Sequence, residues 1–268
     1  MTGCDEAVAP RASALMPSAD SSALASVSTG TAPTEPRTCR LGIVIPVLNE
    51  SRTIADAVAA ARAQSDTCIV VDGGSTDDTI SQAQRAGAQV VRAKRGRALQ
   101  MNAGAQVADC DVLLFLHADC RLPIGAGELI RTHTARGAIW GRFDVRLDSP
   151  RLALAIIAWM MNLRSRLTGI ATGDQGIFVA RQAFEAQGGF PAIALMEDVA
   201  FSRSMRRIAP PVCLRTTMLV SARRWEHRGV VRTVVQMWGL RAAYFFGASP
   251  DWLHRQYYGR RPHGDIDD

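Results

Sequence analysis

Four short apolar runs, separated by three segments of helical period, constrain this chain more than any other feature. The runs are Leu41 to Pro46, Thr67 to Asp72, Ala88 to Val91 and Asp111 to Leu116. They are dense in Val, Ile and Leu and show no polar alternation, which marks strands buried on both faces. Between the first two, Ser51 is expected to cap a helix running to Gln64, with Ile54, Val58 and Ala61 on its inner face. A second helix is expected from Asp77 to Ala86, stopped by Gly87. A third follows the basic loop Arg92 to Arg97 and ends near Ala108. Strands that alternate with helices in this way predict an α/β fold with a mainly parallel, Rossmann-like sheet flanked by helices. Right-handed crossovers then place all four strand C-termini on one edge. Asn49-Glu50, Asp72-Gly73, Arg95-Gly96 and His117-Ala118-Asp119 are therefore expected to open onto a common crevice.

The second half is less regular. A strand is expected over Ala138 to Leu147, and Leu152 to Met161 is an unbroken apolar run. Gly173-Asp174-Gln175-Gly176 reads as a loop leading into a strand, Ile177 to Ala180. Glu197-Asp198 opens a helix near Val199 to Ile208, and a last helix is expected from Val230 to Phe246. The chain thus divides into residues 1–39, rich in Ala, Ser, Thr and Pro and expected to be a disordered extension; residues 40–230, the α/β domain; and residues 231–268, an amphipathic helix and basic tail packed on the domain or on a membrane surface.

Charge and cysteine content narrow the setting. The formal net charge is +6, and of 31 basic side chains only Lys94 is a lysine. Between Phe201 and Arg261 the arginines face two acids, Glu226 and Asp251. Such a basic stretch suits phosphate-bearing ligands, an anionic membrane or nucleic acid. The six cysteines show no C-x-x-C pair and no metal-ligand spacing, so they read as buried free thiols in a cytoplasmic protein. No secretory signal is expected. No uninterrupted apolar run reaches the roughly 18 residues that a spanning helix needs.

The expected crevice gathers acids. A carboxylate beside a Gly-rich turn, as at Asp72, can accept hydrogen bonds from a base or ribose. A second one, Asp119, can hold a divalent cation that bridges phosphates. Gly73 and Gly74 would let backbone approach a nucleotide closely. Equally, Asp72 and Asp77 could be turn and cap residues only.

Taken in order, Ile45-Pro46-Val47-Leu48-Asn49-Glu50, Val70 to Asp77, His117-Ala118-Asp119 and Glu197-Asp198 resemble the signatures of family-2 glycosyltransferases of the GT-A fold. The resemblance covers about residues 40–240. Gly96 to Asn102, Gly173 to Gly176 and Arg223-Arg224-Trp225 are similar to a bacterial subgroup associated with radical-SAM proteins. The resemblance implies an inverting transfer from a UDP- or GDP-sugar, with Asp198 as the catalytic base. It implies donor contacts from Pro46, Asn49, Glu50, Asp72, Gly74, Ser75, Arg97, His117 and Arg224. Asp119 and His227 would hold Mn²⁺ or Mg²⁺. His117 stands where the family's Asp-x-Asp motif has its first acid, and an imidazole brings no negative charge. Asp174, Gln175, Glu197 and Trp225 would face the acceptor.

Two other classes fit parts of the pattern. A nucleotidyltransferase would usually carry a Gly-rich basic loop after the first strand, where this chain has Val47-Leu48-Asn49-Glu50. A non-catalytic nucleic-acid or membrane-binding protein would use the basic third but has no need of Asp72, Asp119 and Asp198 together; no nucleic-acid partner is expected. The helices containing Leu152 to Met161, flanked by Arg151, Arg164 and Arg166, and Val230 to Phe246 either pack on the sheet or lie on a membrane surface. The second option would suit a lipid-type acceptor.

Overall fold

The computed structural model describes residues 39–259, apart from the side chains of Arg224, His227 and Arg228. The expected extension, up to residue 38, and the end of the basic tail lie outside the described residues.

The four apolar runs form strands β1 (Leu41–Val47), β2 (Thr67–Asp72), β3 (Gln89–Arg92) and β4 (Val112–Phe115). β1 pairs in parallel with β2 on one side and β4 on the other, and β2 pairs in parallel with β3. Helices α1 (Ile54–Arg62), α2 (Thr79–Arg85) and α3 (Arg97–Val107) make the crossovers. Both sheet faces are buried, as a run without alternation requires. Ile43 and Ile45 pack with Ile54 and Val58 of α1 on one face. Val44 packs with Ala98, Met101 and Ala105 of α3 on the other. Each such side chain contributes about 1.5–3 kcal/mol of hydrophobic stabilisation. Gly104 lets α3 sit tightly on the sheet, because a Cβ there would lie 2.4 Å from Val44.

Because α1 and α2 lie on one face and α3 on the other, strand order reverses between β1 and β4. Such a reversal opens a crevice outside the strand C-termini. The residues after β1 and β4 are those expected to carry the chemistry.

The remaining strands are β5 (Cys120–Arg121), β6 (Trp140–Asp148), β7 (Ile177–Ala180) and β8 (Val212–Ser221), and the full sheet order is β3-β2-β1-β4-β7-β6-β8-β5. β7 runs antiparallel to both β4 and β6, while β8 is parallel to β6. The sheet is thus mixed. The helices after α3 are α4 (Ala126–Ala135), α5 (Leu152–Thr168), α6 (Arg181–Ala186), α7 (Glu197–Ile208), α8 (Arg223–Arg228), α9 (Val230–Phe245) and α10 (Pro250–Tyr258).

Several expectations need correction. β8, α4, α6 and α10 were not evident in the sequence pattern. Ser51 does not cap α1: Thr53 holds that position, and the Ser51 amide donates to Asp77 Oδ2 at 3.2 Å. The apolar run at Leu152 continues as helix to Thr168. Its outer side leaves Leu152, Ile156, Trp159 and Leu167 exposed. α9 likewise exposes Val231, Val235, Trp238 and Phe245. α9 and α10 also share a small core of their own, in which Leu240, Leu253 and Tyr257 pack on Leu195 and Met196. None of the described helices is long and apolar enough to cross a membrane.

Candidate active site

A cleft of about 1260 Å³ lies outside the C-termini of β1 and β4. Its walls come from the loop after β1 (Pro46 to Glu50), the start of α3, the loop after β4 (His117 to Asp119), the 3₁₀ turn Gly173–Gln175 and the start of α7. α5, α9 and α10 close the far side through Met160, Arg164, Met237, Arg241 and Tyr257.

The turn after β2 supports this wall without joining it. Asp72 is 1% exposed. Its carboxylate accepts the Gly74 amide at 3.0 Å and the Ser75 amide at 3.0 Å. Ser75 Oγ in turn accepts the Asn49 amide at 2.9 Å, and Asn49 Oδ1 accepts the Thr76 amide at 2.8 Å. Asn49 is in the left-handed region, φ 56°, which asparagine tolerates better than most residues. Asn49, Asp72, Gly74 and Ser75 are absent from the cleft wall. The polar atoms of these residues and Thr76 bind one another and fix the loop that carries Glu50.

Glu50 does face the cleft. Its amide donates to Thr79 Oγ1 at 2.8 Å, and its Oε2 accepts from Thr53 Oγ1 at 3.1 Å. Burial, then the Asp119 carboxylate, push its pKa up, while Thr53, Arg223 and Arg97 oppose the shift. A carboxyl group pushed up by a neighbouring carboxylate in a cleft is an arrangement a cation relieves. Among the described residues, no group of three or more His, Cys, Asp or Glu side chains could cage an ion. Asp119 fits a cation shared with ligand oxygens rather than one held by protein alone. His117 lines the cleft with its ring against Gly173, where a Cβ would come within 2.5 Å of Nε2. The His227 and Arg224 side chains lie outside the described residues.

The opposite wall is aimed by a strained residue. Met196 has φ 71°, a conformation that costs a non-glycine residue roughly 1–2 kcal/mol. It starts α7 so that Glu197 and Asp198 both line the cleft. Asp198 Oδ2 accepts the Gly173 amide at 2.8 Å and Oδ1 the Val199 amide at 2.7 Å. Glu197 is buried, and burial followed by the Asp198 charge pushes its pKa up to about 7, against the pull of Arg97. Burial also works against the charge on Arg97, but Tyr258, Glu197, Tyr257 and Asp198 outweigh it and keep the guanidinium protonated.

Asp174 and Trp225 line the cleft; Gln175 does not. Gln175 is fully buried, and its Oε1 accepts the Thr172 amide at 3.1 Å as a cap of the 3₁₀ turn. Sequence reasoning also missed residues. Gln100 of α3 donates through Nε2 to Val47 O and Val71 O, each at 2.8 Å. It thereby ties together the ends of β1 and β2. A glutamine on a helical face otherwise occupied by Ala98, Met101 and Ala105 was the available signal. Arg164, Arg241 and the tyrosines of α10 are further unexpected members of the wall.

Residues 42–181 match the family model described as "Glycosyl transferase family 2". The chain belongs to glycosyl transferase family 2. Among curated relatives of this glycosyltransferase chain are proteins described as uncharacterized glycosyltransferases, Rv0539 of Mycobacterium tuberculosis and Mb0553 of Mycobacterium bovis. Each is 32% identical over 133 residues, which make up 47% of this chain and 61% of the relative. The chain thus spans less than two thirds of their length. Among solved structures, glucosyl-3-phosphoglycerate synthase from M. tuberculosis, in complex with Mg²⁺ and UDP, superposes with TM-score 0.51 at 18% identity, covering 68% of this chain and 70% of that one. The mannosyltransferase PcManGT from Pyrobaculum calidifontis, in complex with GDP-Man and Mn²⁺, gives TM-score 0.54 at 18% identity, covering 76% and 61%. The fold of this family-2 chain is GT-A.

Proposed function

We propose that this chain is an inverting glycosyltransferase that moves a sugar from a UDP- or GDP-sugar to the hydroxyl group of an amphiphilic acceptor. The observation that carries this reading is the convergence of Glu50, Asp119 and Asp198, from three separate elements, on one cleft. The nucleotides and ions named for the two GT-A structures support the donor class and a divalent cation.

Pro46 and Glu50 flank the nucleoside, with Arg97 and His117 nearby. Asp119 would hold Mn²⁺ or Mg²⁺, with His227 and Arg224 of α8 assigned to the same end, and such a cation would supply positive charge toward the nucleoside diphosphate. Asp198, held by two backbone amides, takes the proton of the acceptor hydroxyl. The freed oxygen attacks the anomeric carbon from the face opposite the leaving phosphate, and the bond from carbon to phosphate oxygen breaks. Glu197, Asp174 and Trp225 border the acceptor. Residues 40–230 supply this chemistry, and α9 and α10 close the far side of the cleft.

An amphiphilic acceptor is supported by α5 and α9. Each lines the cleft on one side and exposes large apolar side chains elsewhere, Trp159 and Phe245 among them. Arginines flank these faces, as in helices that lie at an anionic membrane surface. The narrower likeness to the radical-SAM-associated subgroup assigns no acceptor.

Calorimetry with UDP and GDP, with and without Mn²⁺ or Mg²⁺, tests the donor site. Asp198→Asn is expected to abolish transfer and donor hydrolysis while nucleotide binding stays within about twofold of wild type. Near-normal turnover by this variant would remove Asp198 as the base. Flotation with vesicles of phosphatidylcholine and phosphatidylglycerol tests membrane attachment. Binding at low salt that falls in Trp159→Ser and Phe245→Ser is expected; absence of wild-type binding would refute it.

A further inference from the structure

The Asp198 side of the cleft contains two cationic side chains without partners. Arg164 projects from α5 and Arg241 from α9, and both line the cleft. Nε and Nη2 of Arg164 and Nε of Arg241 are shut off from solvent and make no hydrogen bond. Among the described residues neither guanidinium takes part in an ion pair. Buried donors, charged ones above all, are costly to leave unmatched, so such atoms in a native fold ask for an occupant.

The surroundings say which kind. Burial and then the Arg241 charge press the Arg164 pKa down to about 10, while Asp174 and Asp198 act in the other direction. Yet neither carboxylate pairs with it, and Asp174 Oδ1 is likewise buried without a hydrogen bond. Asp198 is held by the amides of Gly173 and Val199. Two forked cations on neighbouring helices therefore repel one another across a space that an oxyanion would neutralise. Guanidinium forks match phosphate oxygens in both geometry and charge. Neither Glu50 nor Asp119 is among the charges that act on Arg164. The charges acting on Glu50 are Asp119, Arg223 and Arg97. Those acting on Arg164 are Arg241, Asp174, Asp198 and Arg142.

We infer that Arg164 and Arg241 bind a phosphate group carried by the acceptor, beside Asp198. The inference rests on the reading of this cleft as a glycosyl-transfer site with the donor diphosphate at Asp119. Bound there, the phosphate would hold the acceptor with a hydroxyl in reach of the Asp198 carboxylate.

The probe is inorganic phosphate, titrated by ³¹P NMR into the full chain saturated with UDP and Mg²⁺, so that the donor end is blocked. Wild type is expected to bind. Arg164→Gln and Arg241→Gln are each expected to weaken phosphate about tenfold or more, with UDP affinity unchanged within about twofold. Arg164→Lys, which keeps charge and stem, guards against misfolding of the glutamine variant and should retain part of the affinity. Dodecyl phosphate below its micellar concentration separates the sources. Binding much tighter than inorganic phosphate assigns a lipid headgroup, and equal binding assigns a small phosphorylated acceptor. No phosphate binding to the UDP-saturated wild type, or equal binding by folded variants, overturns the inference. So does a loss of UDP affinity as large as that of phosphate, since the arginines would then hold the donor. If UDP and Mg²⁺ do not bind at all, the donor reading fails, while phosphate binding that the arginine variants abolish still establishes the oxyanion site.

Discussion

Asp72 and Glu197 show how environment decides what an acid does. Both are buried. Asp72 satisfies its charge with the amides of its own turn, whereas Glu197 meets desolvation and the charge of Asp198 with only partial relief from Arg97. A folded-state pKa raised from 4.5 to about 7 makes ionised Glu197 a burden on the fold. The folded state binds more protons than the unfolded one in this window. The stability held below pH 4.5 is therefore lost as pH rises through 7. Glu197→Gln should raise the urea midpoint at pH 8, by up to about 3 kcal/mol in unfolding free energy, and leave it unchanged near pH 4. A variant equal to wild type at both pH values would contradict the shift. From sequence alone, Glu197 and Asp198 could equally complement a helix N-terminus. The left-handed turn at Met196, which aims both at the cleft, leaves no mark in local composition.

Among the elements, α3 shapes the strand-end wall of the cleft. Its inward face is small, so it packs closely on Val44 and Val71, and Gly104 accepts that approach. Gln100 is the polar exception. Besides its two bonds to Val47 O and Val71 O, its Oε1 accepts the Gly96 amide at 3.3 Å. One side chain thus fixes where β1 and β2 end and where α3 begins. Gln100→Ala would remove the side-chain donor shared by Val47 O, which keeps the Gly73 amide, and Val71 O, and should cost about 1–3 kcal/mol in denaturant unfolding. UDP binding should weaken with it, because the loop bearing Pro46 and Glu50 loses its anchor. Intact UDP affinity in a destabilised variant would show that α3 serves the fold alone. The strands and helices of this half were legible because their apolar periods are unbroken and each crossover is local. β8 escaped notice because Arg215, Thr216 and Thr217 interrupt its apolar residues, and its pairing with β6 spans a long stretch of chain and shifts register between Phe143 and Asp144. α10 was hidden by its mixture of Trp, His, Arg and Tyr, whose sense appears only once α9 is in place.

On the scale of the whole domain, two kinds of structure meet at the cleft. The strand-end wall belongs to the sheet, backed by two large apolar cores. The far wall rests on a separate small cluster in which α9 and α10 grip Leu195 and Met196, the residues just before Glu197. Stability is rarely uniform across such a boundary, and small satellite cores open at lower free energy than main ones. This division would let the far wall open without disturbing the strand-end wall. Leu253 is fully buried in the small cluster, and Leu253→Asp would place an unpaired charge there, at a cost of about 3 kcal/mol or more. Hydrogen exchange should then accelerate in α9, α10 and residues 195–199, while β1, β2 and β4 keep their protection. UDP should still bind with Mg²⁺, whereas phosphate binding through Arg241 should be lost. Uniform acceleration across the sheet would mean that the far wall and the strand-end wall unfold as one unit, and that the cleft cannot open on one side alone.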